Sequence, residues 1–436
     1  MFRRTIYDRE ILLLAVPAFG ALIAEPLYVL TDRAIVGRLG TPELAGLAIA
    51  SAILLSAHAI LIFLAYGTTG LVGRLVGAGS TRRAAEQGIA GVWLSVGLGI
   101  VVSLAMWVGS DWLVSLFDPE PEVAELALTY LRISLGGFTA LLMGMAATGY
   151  LRGAQDTVTP LVIVVVSAAA NVGIELLLVF ELDMGIAGAA WSTVIAQWGA
   201  AIAFAVAVAR RARAAGATLR LVTAAARRYA RVGAQMFVRT ASLRVSFVLT
   251  TVFASHIGTT EVASHEIGLQ VWSFFSLALD AVAIAGQAMV AKELGASRPE
   301  VARAASVRMI GMSIQLSVVF GAAVVVLRAP IAAIFSADPD VVSLAGFLLL
   351  FVAFSQPVNA AAFAFDGIFI GAGDLGFLAW AMAGAAVGFS VVGGAVRLAD
   401  LGIGWVWSAL VLFMCFRVAP QWVRFRGDAW LRTGEN

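Results

Sequence analysis

The sequence predicts an all-α integral membrane protein of twelve transmembrane helices, built as two six-helix lobes related by a parallel internal repeat. Three observations carry that reading: the composition, a succession of long apolar runs, and four motif pairs separated by one constant distance. Of 436 residues, 61% are hydrophobic and only 13% charged, with a mean hydropathy of +0.94. Soluble domains carry about 25% charged residues. Apolar runs of about 18 residues or more recur along the whole chain, and each reads as a membrane-spanning helix.

Taken in order, the apolar spans of the first half are 9–35, 45–72, 88–110, 126–150, 158–181 and 186–209. Those of the second half are 231–256, 261–289, 306–328, 341–370, 375–397 and 402–422. The opening "MFRRTIYDREILLLAVPAFG" is too long in its apolar part for a signal peptide and has no small-residue cleavage site, so it reads as an uncleaved first span. The loops alternate in charge. Arg3 and Arg4 precede the first span; Arg74, Arg82 and Arg83 follow the second; arginines from Arg210 to Arg231 fill the centre; Lys292, Arg298 and Arg303 follow the eighth; Arg424 and Arg426 close the chain. The intervening loops carry Asp118, Glu120 and Glu122, then Glu181 and Asp183, then Asp338 and Asp340. Positive charge marks the cytoplasmic side, which predicts both termini in the cytoplasm, and the expected location is the cytoplasmic (inner) membrane.

The repeat is the most informative feature. "RLGTPELAGLA" at 38 resembles "HIGTTEVASHE" at 256, and "LVGRLVGAG" at 71 resembles "MVAKELGAS" at 289. "LFDPEPEVAELA" at 116 resembles "IFSADPDVVSLA" at 334, and "GYLRGAQD" at 149 resembles "GIFIGAGD" at 367. Each pair is 218 residues apart, half the chain. Six spans per half is an even number, so both halves insert with the same orientation. Such parallel repeats are a transporter architecture, with the substrate site between the halves. The expected division is a first lobe over 1–209, a basic cytoplasmic linker over 210–230, and a second lobe over 231–436 with a short cytoplasmic tail.

A polar side chain in hydrocarbon needs a partner or a watery cavity. The first half offers Glu25, Tyr28 and Asp32 in span one, Asn171 and Glu175 in span five, and Thr193 in span six. Tyr28 and Asp32 are four residues apart, as are Asn171 and Glu175, so each pair shares a helix face. At a rise of about 1.5 Å per residue, Asp32, Glu175 and Thr193 all fall in the outer half of the lobe, which supports one shared cluster. Asp32 reads either as a proton- or ion-binding acid or as a helix-end acid paired with Arg33 and Arg38. Glu25, followed by Pro26, reads equally as an acid hydrogen-bonded between helices. In the second half Arg239 and Asp280 lie at similar depth, as a structural ion pair or a coupling site, while Arg244 lies deeper with no partner evident. Asn359, Gln270 and Gln287 are candidates for hydrogen bonds to a substrate or between helices.

These residues carry a family likeness. The duplicated twelve-span chain, the pattern of Pro17, Asp32, Gly37 and Gly40, and Asn171 with Glu175 resemble the multidrug and toxic compound extrusion (MATE) family, nearest its DinF-like branch. The resemblance covers nearly the whole chain. It implies that Tyr28, Asp32, Asn171, Glu175 and Thr193 form a cation-coupling cluster, with sodium as the alternative ion at Asp32, Asn171, Glu175 and Thr193. It also implies a bend of the first helix at Pro17, with Pro26 as a second kink position. Glu175 departs from the family's aspartate by one methylene. The acid of the sodium-type branch in span seven is missing and Asn359 stands at its span-ten position, which favours coupling in the first lobe. Asp366 reads as an interfacial acid.

The expected function is a secondary antiporter that exports an amphipathic cationic small molecule against proton or sodium entry by alternating access. The alternative is a lipid-linked precursor flippase of the same superfamily. No nucleotide-binding loop occurs, the short loops hold no catalytic constellation, and Cys415 and the three histidines lack metal-ligand spacing. An enzyme is therefore not expected, nor a cofactor or a nucleic-acid partner. The expected partners are the substrate and membrane lipid, with the chain acting as a monomer.

Overall fold

The computed structural model describes residues 6–434, so Arg3 and Arg4 lie outside it. Among the described residues every regular element is helical: α1 (Ile6–Val36), α2 (Thr41–Leu61), α3 (Phe63–Gly77), α4 (Thr81–Val108), α5 (Ser110–Ser115), α6 (Pro121–Gly153), α7 (Val158–Leu176) and α8 (Gly185–Ala214). The second half supplies α9 (Thr223–Ser255), α10 (Thr259–Gly295), α11 (Pro299–Phe335), α12 (Pro339–Gly371), α13 (Leu375–Leu398) and α14 (Ile403–Arg426). They make twelve candidate membrane spans, because α2 and α3 are two parts of one and the six-residue α5 is too short to be another. A helix satisfies its own backbone, which is what an apolar run crossing a bilayer requires. Proline opens the first turn of α2, α6, α11 and α12, where its missing N–H costs nothing. The carboxylate of Asp338 caps α12 by accepting from the Asp340 and Val341 amides at 2.9 and 3.4 Å.

The repeat is legible in the backbone. The first residues of α2, α4 and α6 (41, 81, 121) recur 218 residues later at the starts of α10, α11 and α12 (259, 299, 339). Turn residues with positive φ recur too: Gly79 with Ser297, and Gln155 with Gly373, each 218 apart. The next such pair, Asp183 and Asp400, is 217 apart, as are the starts of α7 and α13 at 158 and 375. The register thus drops by one residue on entering α13. Close helix packing repeats as well. A Cβ on Gly149 would stand 2.3 Å from the Ala65 carbonyl oxygen, and one on Gly367 would stand 2.3 Å from that of Ala283. Small residues of this kind let membrane helices approach backbone to backbone.

The chain forms two compact units, Met1–Phe19 with Ala234–Asn436, and Gly20–Gly233. They differ from the expected lobes at both junctions, for identifiable reasons. The start of α1 belongs to the unit of the second half. There Arg308 donates to Asp8 at 2.6 and 2.8 Å, and Lys292 to Glu10 at 3.0 Å. The expected linker is largely helical, α8 running to Ala214 and α9 starting at Thr223. It is also bound to the unit of the first half: the Trp93 indole donates to the Leu219 carbonyl at 2.9 Å, and the Tyr229 hydroxyl to that of Leu64 at 2.8 Å. The division of α1 falls two residues beyond Pro17, yet the helix is unbroken at Pro17 and at Pro26.

Candidate functional site

The first-half unit contains a cavity of about 330 Å³ walled by α1, α2, α3, α6, α7 and α8. Its lining is mainly apolar, and Tyr28, Asp32, Asn171 and Thr193 reach it from the end of the bundle where α1 finishes and α8 begins. The fold thus gathers the residues grouped by depth. Asp32 is four residues from the end of α1, Glu175 precedes a π-helical turn over Leu177–Glu181, and Thr193 lies in the third turn of α8. One-turn π segments of this sort commonly occur at functional sites.

Hydrogen bonds order the cluster. Thr193 donates to the Ala189 carbonyl at 3.1 Å, so it accepts from the Tyr28 hydroxyl, 2.6 Å away. The Tyr130 hydroxyl donates to Asp32 Oδ2 at 3.3 Å. Asn171 Nδ2 donates to Ser192 Oγ at 3.4 Å. Glu175 is wholly buried, and among the described residues no donor reaches either of its carboxyl oxygens. What faces it is the carboxyl group of Asp32, close enough for the two to interact. Two acids that meet in a low-dielectric site cannot both carry charge cheaply. A single proton between them, or a small cation, satisfies both. Asp32 forms no ion pair with Arg33 or Arg38: both arginines are exposed, whereas Asp32 is 4% exposed. The helix-end reading of Asp32 therefore has no geometric support.

Sequence reasoning missed Tyr130, the donor to Asp32. Its signal was a tyrosine within an apolar span, weak beside the carboxylates. Sequence reasoning also missed Asp366 as a partner of Arg239. Arg239 binds the carboxylate of Asp366, which is 3% exposed. Arg417 donates to the same carboxylate at 2.8 Å and Gln421 at 2.9 Å. Arg417 and Gln421 are one turn apart on α14, so a single helix face presents both donors, which depth along the sequence does not reveal. Asn359, Gln270 and Gln287 belong to the unit of the second half. Asn359 donates to Ser355 at 3.2 Å, Gln270 is exposed, and Gln287 is buried where Gly371 approaches its backbone.

The MatE family profile matches residues 17–177 and again 236–396, once in each repeat. The chain belongs to the MatE family. It is a multi-pass membrane transporter and not an enzyme. This MATE chain is 32% identical to Protein DETOXIFICATION 44, chloroplastic, from Arabidopsis thaliana, over 95% of the chain and 81% of that protein. It is 27% identical to DNA damage-inducible protein F of Escherichia coli K12, over 98% and 94%. The crystal structure of the Vibrio cholerae MATE transporter VcmN in the bent form superposes with a TM-score of 0.88 at 18% identity, covering 98% and 97% of the two chains. That likeness shows the fold.

Proposed function

We propose that this MATE transporter is a secondary antiporter of a cytoplasmic membrane, exporting amphipathic cationic small molecules by alternating access against entry of a proton, with sodium as a competing ion. Both termini then face the cytoplasm, and the acid cluster lies in the outer half of the membrane. The observation that carries the reading is Glu175, fully buried without a donor and facing Asp32. With one proton already shared between the two carboxyls, a second arriving from outside neutralises the pair, and its release to the inside restores the single negative charge. Tyr130 holds Asp32 in place through the change. The apolar cavity wall suits an amphipathic body with few specific contacts.

Efflux from proteoliposomes under pH and sodium gradients imposed separately tests this. Wild-type protein is expected to export under an inward proton gradient, with sodium inhibiting. Asp32→Asn keeps the size and much of the hydrogen bonding, and is expected to abolish gradient-driven export. Retention of that export by the variant overturns the coupling role of Asp32.

A further inference from the structure

We infer that Glu25 is the carboxylate that holds the exported molecule, and that what it selects is a protonated amine, with N–H bonds to give, over a cation without them. This rests on the proposed export of amphipathic cations and names their chemical class. Glu25 lies seven residues before Asp32 on α1, two turns away on the same face and about 10 Å along the axis. Both line the cavity. They differ in what they can reach. Asp32 is buried and engaged with Glu175 and Tyr130, whereas half of the Glu25 side chain is exposed.

The nearest basic group to Glu25 is the His58 imidazole, whose Nδ1 is 3.6 Å away, beyond hydrogen-bond distance. An ionised carboxylate offers about four acceptor positions, so Glu25 keeps capacity for a ligand. The next residue adds a second acceptor. Pro26 has no N–H, so the Leu22 carbonyl four residues back loses its ordinary helical donor. Leu22 lines the same cavity. A carboxylate and an under-bonded carbonyl on one helix face match an ammonium group, which can donate to both. A cation lacking N–H bonds gains only the charge attraction. Leu54, Leu55 and Ile62 of the facing span line the cavity beside them and receive the apolar body.

The test is calorimetric titration of the full chain in lipid nanodiscs with two probes, propranolol as a protonated secondary amine and tetraphenylphosphonium as a cation without N–H. Glu25→Gln is expected to weaken propranolol binding about tenfold or more, the size of a lost charge-assisted hydrogen bond, and tetraphenylphosphonium binding clearly less. Pro26→Ala, which restores a donor to Leu22, is expected to narrow the preference for propranolol. Unfolding midpoints check that the variants fold, and Glu25→Asp, which keeps the charge on a shorter stem, should retain part of the amine affinity. Unchanged propranolol binding by Glu25→Gln, or an equal loss for both probes, overturns the role of Glu25 while leaving cation export standing. Wild-type protein that binds neither probe overturns both readings.

Discussion

The two halves of this transporter began from one pattern and put their polar residues at opposite ends of it. At the repeat distance of 218, Tyr28, Asp32 and Tyr130 correspond to Ser246, Thr250 and Leu348. After the one-residue drop, Asn171, Glu175 and Thr193 correspond to Gly388, Val392 and Leu410. The second half has no acid there. Leu348 and Leu410 are buried in its hydrophobic core with Val392 packed against it, and the Thr250 hydroxyl turns back to the Ser246 carbonyl at 2.8 Å. The converse holds at the other end. Arg239, Asp366, Arg417 and Gln421 correspond to Ala21, Thr148, Ala200 and Phe204, all four of which line the first-half cavity. One half keeps a cavity with acids at its end; the other fills the equivalent space with a buried ion cluster. A shared fold therefore says little about which half does the chemistry, and the side chains at equivalent positions say a great deal.

The sharpest way to break this comparison is to make the first half resemble the second. Glu175→Val copies the residue at 392 and is expected to abolish proton-driven export. It also removes a buried carboxyl that lacks donors, so the unfolding midpoint should rise by the equivalent of about 1–3 kcal/mol. Export that survives the change shows that Glu175 is not part of coupling. Next in size is Asp366→Asn, which removes the carboxylate that the buried Arg239 and Arg417 share. A loss of about 3–5 kcal/mol is expected in thermal or denaturant unfolding. A variant as stable as wild type but defective in export reverses the assignment of that cluster as structural.

Smaller effects sharpen the symmetry itself. Gly149→Ala and Gly367→Ala each push a methyl group against a facing backbone carbonyl, and each should cost about 1–3 kcal/mol. Similar losses in the two variants support equal packing in both halves; a large difference argues against it. The smallest effect is expected from Tyr130→Phe. Its hydrogen bond to Asp32 is long, at 3.3 Å, so its loss is worth about 0.5–1.5 kcal/mol. Infrared difference spectra should show the Asp32 carboxyl band shifted, with export reduced a few-fold but not lost.

Much of this was legible in the sequence because hydrocarbon makes polar residues conspicuous. Asp32 and Glu175 stood out against apolar neighbours, helix rise brought them to one depth with Thr193, and four-residue spacing placed Tyr28 and Asn171 on the same helix faces. Pairing across helices was not legible. Asp366 lies in an apolar span as Asp280 does, and only the face of α14 that carries Arg417 and Gln421 shows it as the centre of a cluster. The interruption of span two at Ile62 was likewise silent, since "AILIFLAYG" has no proline and its glycine comes five residues later. At the interruption the Ala65 amide donates to the Ile62 carbonyl at 3.1 Å, three residues back instead of four. The corresponding α10 is continuous.

The buried quartet of Arg239, Asp366, Arg417 and Gln421 also has a historical consequence. Once a duplicated lobe has acquired interlocking charges, a single replacement at Asp366 takes from two buried cations the carboxylate they share, and one at either arginine weakens the site that remains. The route back to an open cavity passes through an intermediate that folds poorly, so selection can enter this arrangement by small steps but cannot leave it the same way. Specialisation of the two lobes is then a ratchet: after the second has filled, innovation in what the protein exports falls to residues of the first.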